Sequence, residues 1–241
     1  MRGELDDAAS LVAGMEGAAG VFGVINFWTI GGFGAALDEK RAGETRQGKA
    51  VVDACRAAGV THYVYSSVGG TERGTDQHPH IESKAEIEAY IAASGQVATV
   101  LRPVWVIDNF ALSPVKEQIL GGVLAAPIAP HTALQMVAAE DIAAFAELAF
   151  ENTGEFAGQA IELAGDELTG DEAARAFSSA LGRRVAFVST PVPGTDFLFP
   201  EGQYRADIPA LRRRYPGVMR LETWASTVFL PAAPPQGMTA L

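Results

Sequence analysis

From Val21 to Leu101 the chain alternates between extended and helical patterning, and this alternation restricts the folds open to it. Val21–Asn26 (VFGVIN) is a short apolar run that reads as a buried strand. Val51, Val52 and Cys55 share one helical face from about Glu44, and Gly59 follows as a stop. His62–Ser66 (HYVYS) is β-branched and aromatic, which predicts a strand. After a polar loop from Gly69 to Pro79, Ile87, Tyr90 and Ile91 predict a helix from about Glu82, with Gly95 beyond its end. Ala98–Leu101 (ATVL) predicts another strand, stopped by Pro103. Strands alternating with helices over short links imply parallel strands joined by crossover helices. The expected class is α/β, half of a doubly wound parallel sheet.

The flanking segments are less regular. Leu11, Val12 and Met15 follow Asp6 and Asp7, which predicts a short capped helix. Asn109–His131 is rich in Gly, Pro and Leu and is expected to be loop with one short helix. Ile142, Phe145, Ala146 and Ala149 form a helical face that Asp141 is expected to open. Ala160–Leu163 and Val185–Ser189 are expected strands, and Thr169 with Glu172 forms a capping box for a helix ending at Gly182. A basic helix is expected near Leu211. The predicted division is 1–110 as core, 111–230 as a smaller lobe packing back on it, and 231–241 as a mobile tail.

With 241 residues the chain can bury a core without disulfides or metals. Its net charge of −11 opposes binding to a phosphate backbone, so no direct nucleic-acid partner is expected. The lone Cys55 fits a reducing cytoplasm. No apolar run reaches the ~20 residues of a membrane span, and no basic, apolar leader opens the chain, so no membrane partner is expected.

Three residues suggest chemistry. Ser66 stands at the carboxyl end of a predicted parallel strand, where open α/β sheets place their ligands. By itself the Ser66–Gly70 run reads as a solvated turn. His80 and Lys84 lie four apart and share a helical face, which alone is more often surface decoration. Together the three form an acid/base layout: Ser66 orients an oxygen, His80 donates a proton to it, and Lys84 holds a ribose. Free imidazole titrates near ~6.5, so His80 needs little tuning for this task. His62, His78 and His80 lack a convincing ligand set, so no metal is expected. Cys55 reads as a core residue.

The runs Gln47–Gly70 (QGKAVVDACRAAGVTHYVYSSVGG), His80–Ile91 (HIESKAEIEAYI) and Val100–Phe110 (VLRPVWVIDNF) resemble the NmrA-like family. So do Ala138–Glu151 and Ile161–Glu172, and the likeness extends over about residues 1 to 195 in one order. The resemblance implies a Rossmann protein of the atypical short-chain dehydrogenase/reductase type, with NAD(P) as cofactor. It implies that Lys84 matches a ribose-binding lysine, and that His80 stands where related dehydrogenases carry a tyrosine. It also places Asn26, Phe27, Pro103 and Val104 near the cofactor, and Trp105, Asn109 and Phe110 on the substrate side.

The family begins with a strand, a Gly-x-x-Gly-x-x-Gly turn and a helix, which hold the pyrophosphate. This chain begins at Met1–Asp7, a stretch that resembles the end of the third strand. The expectation is an N-terminally truncated sheet with weakened or lost dinucleotide binding; the alternative is that Met1 is not the true start. Gly31-Gly32-Phe33-Gly34 reads as a turn rather than a phosphate loop. With the first strand missing, residues 21–26 become a sheet edge, which predicts self-association. Three functions remain open: an NAD(P)H-dependent oxidoreductase acting on a small molecule, a non-catalytic redox sensor acting through a protein partner, and a chain that binds no cofactor.

Overall fold

The computed structural model describes residues 3–32, 34–73, 78–129, 131–190 and 204–230. In chain order these begin with α1 (Ala8–Met15), β1 (Gly20–Val24), α2 (Leu37–Ala57), β2 (His62–Ser66), α3 (Pro79–Ser94) and β3 (Ala98–Pro103). Next come β4 (Trp105–Val106), α4 (Val115–Leu120), β5 (Val123–Ala126), β6 (Leu134–Val137), α5 (Ala139–Glu151) and α6 (Thr153–Phe156). The remainder is β7 (Ala160–Leu163), β8 (Asp166–Leu168), α7 (Gly170–Leu181), β9 (Ala186–Ser189), α8 (Ile208–Arg214) and α9 (Leu221–Trp224).

The chain forms two compact units. The first contains Met1–Val104, Ile142–Leu163 and Gln203–Ala206; the second contains Trp105–Asp141, Ala164–Gly202 and Asp207–Leu241. The first unit is built on four parallel strands in the order β1-β2-β3-β7. The register aligns Val24 with Ser66 and Ser66 with Leu101, so β1, β2 and β3 end side by side. Tyr63 and Tyr65 turn to one face and pack with Val51, Val52, Cys55, Ile87 and Ile91 of α2 and α3. His62, offset by one residue, turns to the other face, with its ring 5.8 Å from Phe150 of α5. Helices on both faces of a parallel sheet make this an α/β fold of Rossmann type. Gly48 lets α2 and α3 approach closely: a Cβ there would lie 2.3 Å from Cδ1 of Ile87.

Several boundaries differ from the sequence reading. Residues 3–7 are not the end of a strand. The Asp7 amide closes a turn on the Glu4 carbonyl at 3.0 Å, and the Glu4 amide is taken by the Ser10 hydroxyl at 2.9 Å. Asp7 then caps α1 by accepting from the amides of Ala9 and Ser10. Pro103 does not stop β3 but ends inside it, because a residue without an N–H can still accept: its carbonyl takes the Gly69 amide at 2.8 Å. Asp141 stands in the first turn of α5, as expected, but it does not act alone there. The Ala139 amide bonds to Asp108 at 2.8 Å, while Asp141 accepts from the Met219 amide. The tail from Pro231 lies outside the described residues.

The second unit holds β4-β6-β8 and the parallel pair β5-β9. Its core gathers Ile107, Phe110, Phe177, Trp224 and Phe229. The capping box at Thr169 and Glu172 opens α7, and Gly182 closes it in the left-handed conformation.

Candidate functional site

The carboxyl ends of β1 and β2 are organised by two buried lysines. Lys40 of α2 donates to the carbonyls of Trp28, Ile30 and Gly32 at 3.1, 2.7 and 3.0 Å. All three of its ammonium hydrogens are thereby used, and they gather the loop after β1 around one charge. Lys84 of α3 donates to the Ile25 carbonyl at 3.0 Å and to Oε1 of Glu44 at 2.9 Å. The Ser83 hydroxyl donates to the other Glu44 oxygen, and the Tyr65 ring centre lies 5.9 Å from the ammonium. Glu44 is fully buried. The third hydrogen of Lys84 has no partner among the described residues.

Asn26 follows β1 and is exposed. Its side-chain oxygen accepts from the Trp28 amide at 3.0 Å and starts a short helical turn. Phe27 in that turn is buried, whereas Trp28 is 54% exposed. His78 and His80 meet these two rings. His78 stacks on Trp28 at 6.0 Å, and His80 lies 6.0 Å from Phe27 and 5.6 Å from Trp28. The imidazoles contact each other through Nδ1 atoms 2.7 Å apart. Burial first, then the neighbouring charges of His78 and Lys84, push His80 down to about 3. The His80 ring is therefore neutral near pH 7, not titrating there as the free side chain would.

Ser66 is buried, and its hydroxyl has no hydrogen bond among the described residues. None of its described contacts reaches His80 or Lys84. The adjacent Ser67 is occupied: with Thr71 it donates to Glu88, which also pairs with Arg102 at 2.6 Å. Val104 is buried and donates to the Leu163 carbonyl at 3.1 Å. His62 stands apart, with its ring nitrogens 2.9 Å from the Thr99 hydroxyl and 3.1 Å from that of Thr153. Cys55 lies in the core, its thiol pushed up to about 11 by burial.

The expected substrate-side residues belong to the second unit. Trp105 and Phe110 meet edge to face at 4.5 Å, and Phe110 continues into the core against Phe177 at 5.1 Å. An apolar cavity of about 30 Å³ beside them is lined also by Met136 and Phe187. That space is comparable to a single water, well short of the ~150 Å³ that holds a benzene ring. Asn109 is exposed.

A pyrophosphate cradle is not found among the described residues. The loop before α2 turns its carbonyls onto Lys40, and the first turn of α2 carries Asp38 and Glu39, which oppose an anion there. Glycines with the spacing Gly17-x-x-Gly20-x-x-Gly23 do occur, a pattern the sequence reading passed over. They run from the end of α1 into β1, the reverse of the strand-to-helix order a phosphate turn needs. Gly20 and Gly23 are instead required for packing: a Cβ would lie 2.7 Å from Phe150 and 2.3 Å from the Tyr63 hydroxyl, respectively.

A four-stranded parallel sheet with its polar residues gathered at the strands' carboxyl ends defines a Rossmann-type α/β protein. The particular family follows from comparison: the chain matches the NmrA-like family over residues 1–214 and belongs to it. It is 31% identical over 184 residues to the nitrogen metabolite repression protein nmr of Neurospora crassa, a match covering 71% of this chain and 37% of that protein. The chain thus spans little more than a third of that curated relative. Among solved structures it is similar to the negative transcriptional regulator NmrA in complex with NADP, with a TM-score of 0.70 at 22% identity, covering 95% of this chain and 80% of that one. It is also similar to an NADPH-dependent quinone oxidoreductase from Escherichia coli complexed with NADPH, with a TM-score of 0.74 at 20% identity, covering 95% and 83%. No helix among the described residues is long and apolar enough to cross a membrane.

Proposed function

We propose that this chain is an NAD(P)-binding protein of the atypical short-chain dehydrogenase/reductase type that grips the nicotinamide-ribose end of the cofactor and holds the pyrophosphate weakly. One observation carries the reading: Lys84 sits at the carboxyl end of β1 with two ammonium hydrogens committed and a third left over. That hydrogen suits a ribose hydroxyl, and the exposed Asn26 lies at the same strand end. When bound, the nicotinamide would supply hydride transfer; His80 would exchange the proton and Ser66 would orient the substrate oxygen. Pro103, ending β3, and Val104 just after it would bound the same site. Trp105, Asn109 and Phe110 remain the candidates for the substrate side.

Calorimetric titration with NADPH and NADH tests the reading. Binding is expected in the high micromolar range or weaker, and the double variant Glu44→Gln/Lys84→Met, which orphans no buried charge, is expected to abolish it. No heat from either nucleotide at millimolar concentration would overturn the proposal.

A second reading is favoured by two of the proteins it resembles, a nitrogen metabolite repression protein and a negative transcriptional regulator. In it the chain binds NAD(P) without turnover and passes its redox state to a protein partner. NADPH consumption with quinones or aldehydes separates the two. Self-association through residues 21–26 belongs to either reading, because β1 is an edge of its sheet among the described residues and exposes Phe22 and Val24.

A further inference from the structure

The two imidazoles at the start of α3 are joined by a bond whose direction can be deduced. His78 is the N-cap of the helix, and its Nδ1 accepts the backbone amide of His80 at 3.3 Å. An atom that accepts an N–H carries a lone pair there and no hydrogen. The same Nδ1 lies 2.7 Å from Nδ1 of His80. Two bare nitrogens at that distance would repel, so the hydrogen between them belongs to His80. A neutral imidazole has one N–H only. With it placed on Nδ1, Nε2 of His80 is left as a lone pair, and it has no partner among the described residues.

We propose that His80 serves as a hydrogen-bond acceptor through Nε2, and that His78 is the positioning residue that fixes this tautomer. The inference rests on the site read above and gives His80 an accepting nitrogen there. The ligand this nitrogen recognises presents an O–H or N–H donor, and the half-exposed Trp28 beside His80 suits a planar ring. The ionisable groups facing His80 are His78 and Lys84 of its own helix; Phe27 and Trp28 do not titrate. Burial first, then any charge on His78 and the ammonium of Lys84, disfavours the imidazolium, which keeps the resting ring neutral.

The test reads the tautomer directly and needs no nucleotide. In 15N-histidine-labelled protein at pH 7, two-bond 15N–1H correlations should show His80 with a protonated Nδ1 and an unprotonated Nε2, and His78 with the opposite pattern. The variant His78→Ala should convert His80 to a mixture containing the Nε2–H form. His78→Asn, whose amide oxygen can accept both hydrogens, should restore the original tautomer. Phenol should move the His80 Nε2 resonance at concentrations where anisole, which cannot donate, does not. A wild-type His80 protonated on Nε2, or on both nitrogens, would overturn the proposal, as would equal responses to phenol and anisole. Failure to bind NADPH would remove the cofactor reading while leaving these signals unchanged, so the two failures are distinguishable.

Discussion

Glu44 of α2 and Lys84 of α3 form a buried ion pair, Oε1 to Nζ 2.9 Å, which ties the two crossover helices together beneath the end of β1. Removing one partner leaves the other charge without compensation, which costs about 3–5 kcal/mol. Glu44→Ala is therefore expected to lower stability by that amount in urea titration. The double variant Glu44→Met/Lys84→Met should recover most of the loss, because paired buried charges are often no more stabilising than well-packed apolar groups.

Lys40→Met should act more locally. It removes three hydrogen bonds from a charged donor to loop carbonyls, each normally contributing about 1.5–3 kcal/mol before the freed carbonyls find water. The expected net loss is about 2 kcal/mol, with a change in the fluorescence of Trp28, whose carbonyl is one of the three. An unaltered Trp28 signal would contradict the clamp.

Acid should destabilise the first unit before its carboxylates protonate. Burial lowers His62, His78 and His80 below the usual 6.5. The unfolded chain then binds protons that the folded one refuses. Stability is full above about pH 6.5, falls as pH drops below it, and continues to fall until the folded-state values are passed, the lowest being about 3 for His80. His62→Gln should flatten the upper part of this decline, measured by thermal melts between pH 7 and 4.5.

Phe22 is 42% and Val24 57% exposed on an edge strand. The double variant Phe22→Lys/Val24→Lys should reduce self-association in sedimentation velocity while changing unfolding stability by no more than about 0.5 kcal/mol each. A wild type that is monomeric at all concentrations would refute the edge contact.

Gly23→Ala tests how tightly β1 is seated. Its Cβ would meet the buried Tyr63 hydroxyl, and overpacking of this kind costs about 1–3 kcal/mol. A neutral result in a denaturation curve would mean that Tyr63 moves freely.

The parallel sheet was legible because its strands carry their own signals. HYVYS is unmistakably extended, and the helices on either side end in glycines. The strands β4, β5, β6 and β8 were not, because two to four residues show no alternation and their partners are remote in sequence. Lys84 stood out in the sequence through its place in a family pattern, and its burial against Glu44 did not. Lys40 and Glu44 were missed because charged residues in a helix normally face water. Yet they continue the stripe of Val51 and Cys55 on α2, and this continuity was the available signal. The polarity of the His78–His80 bond was beyond sequence altogether, since it depends on which nitrogen caps the helix.

The loop that presents Trp28 is shaped by a cation covalently attached to the protein. Its folding therefore asks nothing of the potassium or sodium in the surrounding solution, and dilution cannot strip the charge away. A residue twelve positions downstream thus determines the angle at which an indole meets whatever arrives at the end of the first strand.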